Sequence, residues 1–265
     1  MKKPYISQSQ LNMYTLCAES YRRRYIEKEI IQPGFSLVVG SGVHKGAEVN
    51  FRQKINSKID LPEDDVIDAA TTEFDAMIER DGVLLTPDES SIGEKTIKGK
   101  NKDRVARMSK ELMTNIAPKY QPEFVEEKHR IVLPNSKYDL LVILDLADYN
   151  GCLADLKTSA KKKSQADIEN SDQLTFYSLA YKALTGKMPK EVRLEYVIDR
   201  ETKTKTVTET QTLSSSRSID QIKRLINRIN TMIDGIEKGV FMPCDKGNWK
   251  CSPRFCGYYN TCKYV

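Results

Sequence analysis

Apolar and polar positions recur on two different periods along this chain, and the change of period divides it. Up to about residue 120, apolar side chains return every three or four positions, the spacing of one helix face. Leu11, Tyr14, Cys17 and Tyr21 fall on one such stripe, and Ser7 with Gln10 has the capping-box pattern that opens a helix running to about Glu29. Pro33-Gly34 ends it, and a glycine-rich turn at Gly40 and Gly42 leads into a second helix bearing His44, Ala47 and Phe51. Residues 63–80 and 101–118 pattern as two further amphipathic helices. The polar, glycine-containing segment between them, DGVLLTPDESSIGEKTIKGKNK, predicts a mobile loop.

From Phe124 the period shortens to that of strands, at about Phe124–Leu133, Tyr138–Ala147 and Cys152–Lys157. Asn150-Gly151 folds the second and third of these into a hairpin. A helix from about Ala166 to Leu184 follows, then strands at Val192–Asp199 and Lys205–Gln211, and a last helix at Ser218–Lys238. There is no internal repeat. Helices wrapped around a small mixed sheet predict an α/β (α+β) fold. We expect one domain over residues 1–265, with a mainly helical part (1–120), a core (121–212), a C-terminal helix (213–243) and a cysteine-rich tail (244–265).

A chain of 265 residues can bury a substantial core, and 39% apolar with 30% charged residues suits a soluble globular protein. The formal net charge of +5 permits nucleic-acid binding without establishing it. No apolar run follows the lysines of MKKPYISQSQ, so we expect no signal peptide. No stretch approaches the roughly 20 apolar residues that span a bilayer, so we expect no membrane partner and an intracellular protein.

The candidate chemistry lies between Leu140 and Tyr177. Side chains alternate along a strand, so Asp155 and Lys157 share a face while Leu156 takes the other. Asp145, on the apolar run LLVILDL, belongs to the hairpin partner. Two hard oxygen ligands and an ammonium thus converge where a divalent metal and a phosphodiester both fit. An ordinary surface ion pair between Asp155 and Lys157 is the simpler rival, but the apolar flanks and Asp145 weigh against it. Gln173 and Tyr177 stand four apart on one helix face, a spacing shared by many amphipathic helices. Only two histidines occur, His44 and His129, which leaves little for a histidine acid–base pair. Arg22–Arg24 and Lys161–Lys163 read as solvated charge runs, the second placed to meet phosphates because it follows the strand.

Of six cysteines, Cys244, Cys251, Cys256 and Cys262 crowd the tail, whereas Cys17 and Cys152 stand alone. In a reducing compartment this spacing favours a soft-metal site of zinc or iron–sulfur type over disulfides. Cys244 completes such a site locally; Cys17 completes it from the far end of the chain. Tyr258 and Tyr259 either stack on bases or pack the site, and packing is the simpler reading.

In this order the stretches resemble the PD-(D/E)XK nuclease superfamily, in the RecB-like exonuclease branch that includes CRISPR-associated and phage members. SQSQLNMYTLCAESYRRRYIE is similar to that branch's N-terminal motif and GSGVHKGAE to its glycine-histidine motif. LDLADYNGCLADLKTS resembles the core aspartate and D-x-K motifs, QLTFYSLAY the Q-x-x-x-Y motif, and CSPRFCGYYNTC the cysteine cluster.

The resemblance implies a restriction-endonuclease-like core. It also implies a Mg2+- or Mn2+-dependent DNA exonuclease of recombination, repair or replication, or a structure-selective or CRISPR-adaptation-type endonuclease. The third reading is a non-catalytic DNA-binding module. The implied metal ligands are His44, Asp145, Asp155 and the backbone carbonyl of Leu156, with Glu126 or Glu127 joining them. Lys157 would meet the scissile phosphate or orient the attacking water, and Gln173 and Tyr177 would position the DNA phosphate. Cys17, Cys251, Cys256 and Cys262 would hold a [4Fe–4S] cluster, or Zn2+ instead, with Cys244 spare. The tail departs from the pattern: four residues separate Cys251 and Cys256, where several relatives have two. The implied partners are DNA, single-stranded or with free ends, and a helicase, recombinase or single-strand-binding protein. The implied location is the cytoplasm of a bacterial or phage-infected cell.

Overall fold

The computed structural model describes residues 3–202 and 204–265. The chain divides into two units, one built from Met1–Gln32, His129–Val142 and Ser218–Val265, the other from Pro33–Lys128 and Ile143–Arg217. In chain order the helical part comprises β1 (Tyr5–Ser7), α1 (Gln8–Leu16), α2 (Ala18–Tyr21), a π-helical turn (Arg22–Ile26), α3 (Phe35–Ser57), α4 (Glu63–Asp81), α5 (Pro87–Ile92) and α6 (Glu94–Asn115). The rest comprises β2 (Pro122–Val132), β3 (Asp139–Asp148), β4 (Cys152–Ser159), α7 (Gln165–Glu169), α8 (Asp172–Thr185), β5 (Glu191–Glu201), β6 (Thr206–Ser215) and α9 (Ile219–Glu237). The result is the mixed sheet flanked by helices that the sequence predicts.

In the first unit, Ser7 caps α1 as expected, its hydroxyl accepting the Gln10 N–H at 3.3 Å. The helix does not run on to Glu29. It breaks at Cys17, whose backbone is extended, and the Ala18 N–H donates at 3.0 Å to the Met242 carbonyl in the tail. Ile222, Leu225, Ile229 and Met232 form the buried stripe of α9, and the Tyr14 hydroxyl donates to the Val240 carbonyl just beyond it. β1, unmarked in the sequence pattern, pairs in parallel with the start of β3, Ile6 opposite Leu140.

In the second unit, α3 is continuous through Gly40 and Gly42, where the sequence predicts a turn, and on through Gly46. Gly42 and Gly46 serve helix packing instead. A Cβ at Gly42 would lie 2.8 Å from the Ala70 carbonyl oxygen of α4, and one at Gly46 2.9 Å from that of Val66. The close approach buries Val38, Val43, Phe74, Val105 and Met108 in one core. The predicted loop at 81–102 instead holds α5 and the first turns of α6. Thr86, Pro87 and Glu89 carry a complete capping box with proline in the first turn, a helix-start signal inside a polar stretch. The single helix expected at 166–184 is two, because Ser171 begins a second N-cap.

The sheet is what positions the chemistry. β4 is paired antiparallel to β3, with Leu146 opposite Ala154, and parallel to β5, with Asp155 opposite Leu194. β6 closes against β5 as an antiparallel hairpin, and β2 pairs with β3. As an inner strand β4 is buried at every position from Cys152 to Leu156. A carboxylate on it is therefore forced into a dry environment.

Candidate active site

Asp155 is fully buried, yet it carries a carboxylate. Lys157, two positions on, sends its ammonium back to it at 2.8 Å and 3.1 Å. The same ammonium donates to Gln173 Oε1 at 2.8 Å, and Gln173 Nε2 donates to the Tyr177 hydroxyl at 3.0 Å. That hydroxyl lies 2.6 Å from Asp145 Oδ1 and 3.1 Å from Asp155 Oδ1, with one proton for the two. The i, i+4 pair of α8 thus reaches the lysine and both carboxylates. The Leu156 N–H, on the opposite edge of the strand, donates to Asp145 Oδ2 at 3.4 Å.

A second group approaches the same carboxylate. His44 Nδ1, on α3, lies 3.8 Å from Asp145 Oδ2 and 3.9 Å from Glu126 Oε1. One ligand atom from each of His44, Glu126 and Asp145 falls within 4.8 Å of the others. Of the glutamate pair on β2, Glu126 takes part and Glu127 is exposed. Glu126 does so with φ of +48°, the left-handed region that a non-glycine residue occupies at a cost of order 1–3 kcal/mol. Strain of that size at one residue of a ligand group is the kind held at functional sites.

The charges acknowledge one another. Burial, joined by the Asp145 charge and opposed by Lys157, pushes the Asp155 carboxyl up to about 7. Burial works against a charged His44, but its bond to Glu126 and the charges of Asp145 and Asp155 raise it nonetheless. Lys157 likewise stays protonated despite desolvation, held by Asp155 and Asp145. Three carboxylates and an imidazole with so few cations form a donor set short of positive charge. Hard oxygens plus one imidazole nitrogen fit Mg2+ or Mn2+. Beside this group opens a cleft of about 620 Å3, lined by Ser36, Gly40, Ser41, His44, Lys45 and Thr158 among others. Gly40 makes room there, since a Cβ would press on Thr158 Oγ1 at 3.3 Å.

His44, Asp145, Asp155, Leu156, Lys157, Gln173 and Tyr177, with Glu126 of the glutamate pair, therefore meet at one place. The basic runs do not join them. Arg22 pairs with Glu19 and Glu27, Arg23 with Glu29, and Lys162 with Glu209. The cysteines gather elsewhere, in the first unit: Cys17, Cys244, Cys251, Cys256 and Cys262 line one small cavity. The Cys244 backbone N–H donates to Cys17 Sγ there at 3.4 Å. Cys152 stays apart in the sheet, where burial pushes its thiol up to about 12. Tyr258 packs, as expected: it is buried, donates to the Glu29 carbonyl at 3.0 Å and lies under the Arg23 guanidinium.

Fold and site together define a nuclease of the restriction-endonuclease-like kind. Residues 5–263 match the model of the PD-(D/E)XK nuclease superfamily, and the chain belongs to that superfamily, whose members use divalent metals. The crystal structure of a candidate exonuclease from Eubacterium rectale superposes with a TM-score of 0.52 at 12% identity, covering 96% of this chain and 87% of that one. At that identity the likeness concerns the fold alone. The crystal structure of SSO0001, 14% identical over 97% of this chain and 95% of its own, superposes at a TM-score of 0.33 and carries no argument. No curated protein matches the sequence. No helix among the described residues is long and apolar enough to cross a membrane.

Proposed function

We propose that the protein is a divalent-metal-dependent DNA exonuclease of the RecB-like branch, acting in recombination, repair or replication. The observation that carries the reading is the His44–Glu126–Asp145 group, set within 4.8 Å beside the buried Asp155–Lys157 pair. Asp145, Asp155, His44 and Glu126 would hold the ion, with the Leu156 carbonyl available on the same strand. A divalent ion there supplies Lewis acidity to the phosphate and the attacking water. Lys157, a compact cation already hydrogen-bonded to Gln173, orients the water or offsets charge on the scissile phosphate. Gln173 and Tyr177 fix Lys157 and the two aspartates relative to one another, so the donors need little reorganisation during reaction. The Eubacterium rectale neighbour's description as an exonuclease points the same way.

We also propose that Cys17, Cys251, Cys256 and Cys262 hold a [4Fe–4S] cluster, with Zn2+ as the alternative occupant. The support is their common cavity, and the Cys244 N–H aimed at Cys17 Sγ suits a hydrogen bond to a ligating sulfur. A cluster joining both ends of the first unit would have a structural role.

The test uses anaerobically purified protein with Mg2+ or Mn2+ and end-labelled linear and closed circular DNA, with Lys157→Ala alongside. Linear DNA should be degraded, circles spared, and degradation absent from the variant. Cut circles would replace the exonuclease reading with an endonuclease one. DNA bound but uncut under either metal would overturn catalysis.

A further inference from the structure

The tail bears a surface that neither the cysteine cavity nor the hydrolytic site uses. Trp249, the sole tryptophan of the chain, is 60% exposed, and Phe255 is 47% exposed. Their ring centroids lie 5.2 Å apart with the planes at 84°, an edge-to-face pair that leaves ring faces open to solvent. Tyr258, three residues from Phe255, shows what a packing aromatic of this tail looks like: it is 6% exposed. Trp249 and Phe255 are not packed in that way.

The setting is cationic. Residues 244–265 hold Lys246, Lys250, Arg254 and Lys263 against the single acid Asp245. Asp245 accepts the Gly247 N–H at 2.6 Å, a local bond that occupies one of its oxygens. The Lys250 ammonium donates to the Phe255 carbonyl at 2.6 Å and ties the two aromatic segments together. The Arg254 guanidinium carbon sits 5.6 Å from the Phe255 ring centroid, over an exposed face. Open aromatic faces bordered by cations suit a polyanion that presents flat rings of its own. Single-stranded nucleic acid has both properties, whereas a duplex keeps its bases stacked on each other.

We propose that Trp249 and Phe255 form a stacking platform for the bases of single-stranded nucleic acid, with Arg254 and Lys246 meeting its phosphates. This site goes beyond the hydrolytic one and does not need it to work. The sole tryptophan also makes the platform directly observable.

The test titrates an oligothymidylate into full-length Lys157→Ala protein while tryptophan emission is recorded. Saturable quenching is expected, with little from a duplex of equal length. By anisotropy of a labelled oligothymidylate, Trp249→Ala should bind about ten-fold more weakly, equal to about 1.4 kcal/mol and within the range of one stacked base. Trp249→Tyr should restore affinity to within about two-fold, which separates loss of a ring from damage to the tail. Binding without quenching, unchanged affinity in Trp249→Ala, or emission that follows protein rather than oligonucleotide concentration would each overturn the proposal. The last of these would mark a contact between copies of the chain. Hydrolysis of bis(p-nitrophenyl) phosphate by Trp249→Ala, in an otherwise unaltered chain, should equal that of the parent. That substrate is too small to need the platform, so a failed nuclease reading and a failed platform are told apart.

Discussion

Asp155→Asn should make the metal-free protein more stable while abolishing hydrolysis. Burial pushes this carboxyl up to about 7, from an ordinary value near 4. The folded chain therefore binds the Asp155 proton more tightly than the unfolded chain does. The stabilisation is complete below about pH 4 and is lost as pH rises through about 7. Above that, carrying the ionised carboxylate costs the metal-free fold on the order of 4 kcal/mol. Asparagine keeps the shape and one acceptor for Lys157 and Tyr177 but removes the charge. Lys157 then loses its nearest counter-charge, although its bond to Gln173 at 2.8 Å remains. If that loss cancels half the gain, about 2 kcal/mol survives, equivalent to roughly 4–8 °C in Tm for a chain of this size. Thermal melts of chelator-treated parent and variant, from pH 4.5 to 8.5, provide the assay. The two curves should converge near pH 4.5 and separate above pH 7 with the variant higher. A variant melting at or below the parent at pH 8, or a gap independent of pH, would refute the argument that burial of this charge opposes folding.

Other outcomes follow from the same geometry. Asp155 keeps its proton up to about 7 and His44 is also raised, so Mn2+ must displace protons to bind; its affinity should fall about ten-fold per pH unit below 7. Calorimetric titration at pH 6 and 8 reads this, and equal affinities would contradict it. Gly42→Ala puts a methyl 2.8 Å from the Ala70 carbonyl oxygen, and the resulting overpacking should cost roughly 1–3 kcal/mol in a denaturant titration. Gly99→Ala, with open space around its Cβ, should not destabilise. Cys17→Ser and Cys256→Ser should each remove bound iron or zinc and lower Tm together. Full metal content and an unchanged melt in Cys17→Ser would instead favour a local site completed by Cys244.

The candidate active site was legible because two short-range signals agree there. Alternation along CLADLKTS puts Asp155 and Lys157 on one face, and Asn150-Gly151 brings Asp145 alongside. What lay beyond the pattern depends on tertiary geometry. Choosing Glu126 over Glu127 turns on a left-handed backbone at one residue of a strand, which no alternation reveals. The break at Cys17 exists because Ala18 finds the Met242 carbonyl, 224 positions away in the sequence. Gly40 and Gly42 misread as a turn because glycines on a helix face, as Gly42 and Gly46 are against α4, encode a helix contact as readily as a breaker. The capping box at Thr86, by contrast, was present in the sequence and was masked by the polar residues around it.

The first unit draws its chain from either side of the second in sequence, and this sets an order of events during synthesis. Met1–Gln32 leaves the ribosome before the second unit, but Ser218–Val265, which completes the same unit, leaves after it. At ~5–20 residues per second, the 185 residues between Gln32 and Ser218 take roughly 10–40 s to translate. Throughout that interval Leu11 and Tyr21, both buried in the finished protein, have no α9 or tail to cover them. The second unit, and with it every candidate site residue from His44 to Tyr177, is fully translated once Arg217 has emerged. The nascent chain therefore carries every candidate site residue of the second unit while Met1–Gln32 still lacks the segment that covers it, and the apolar surface of α1 and α2 is open throughout that interval.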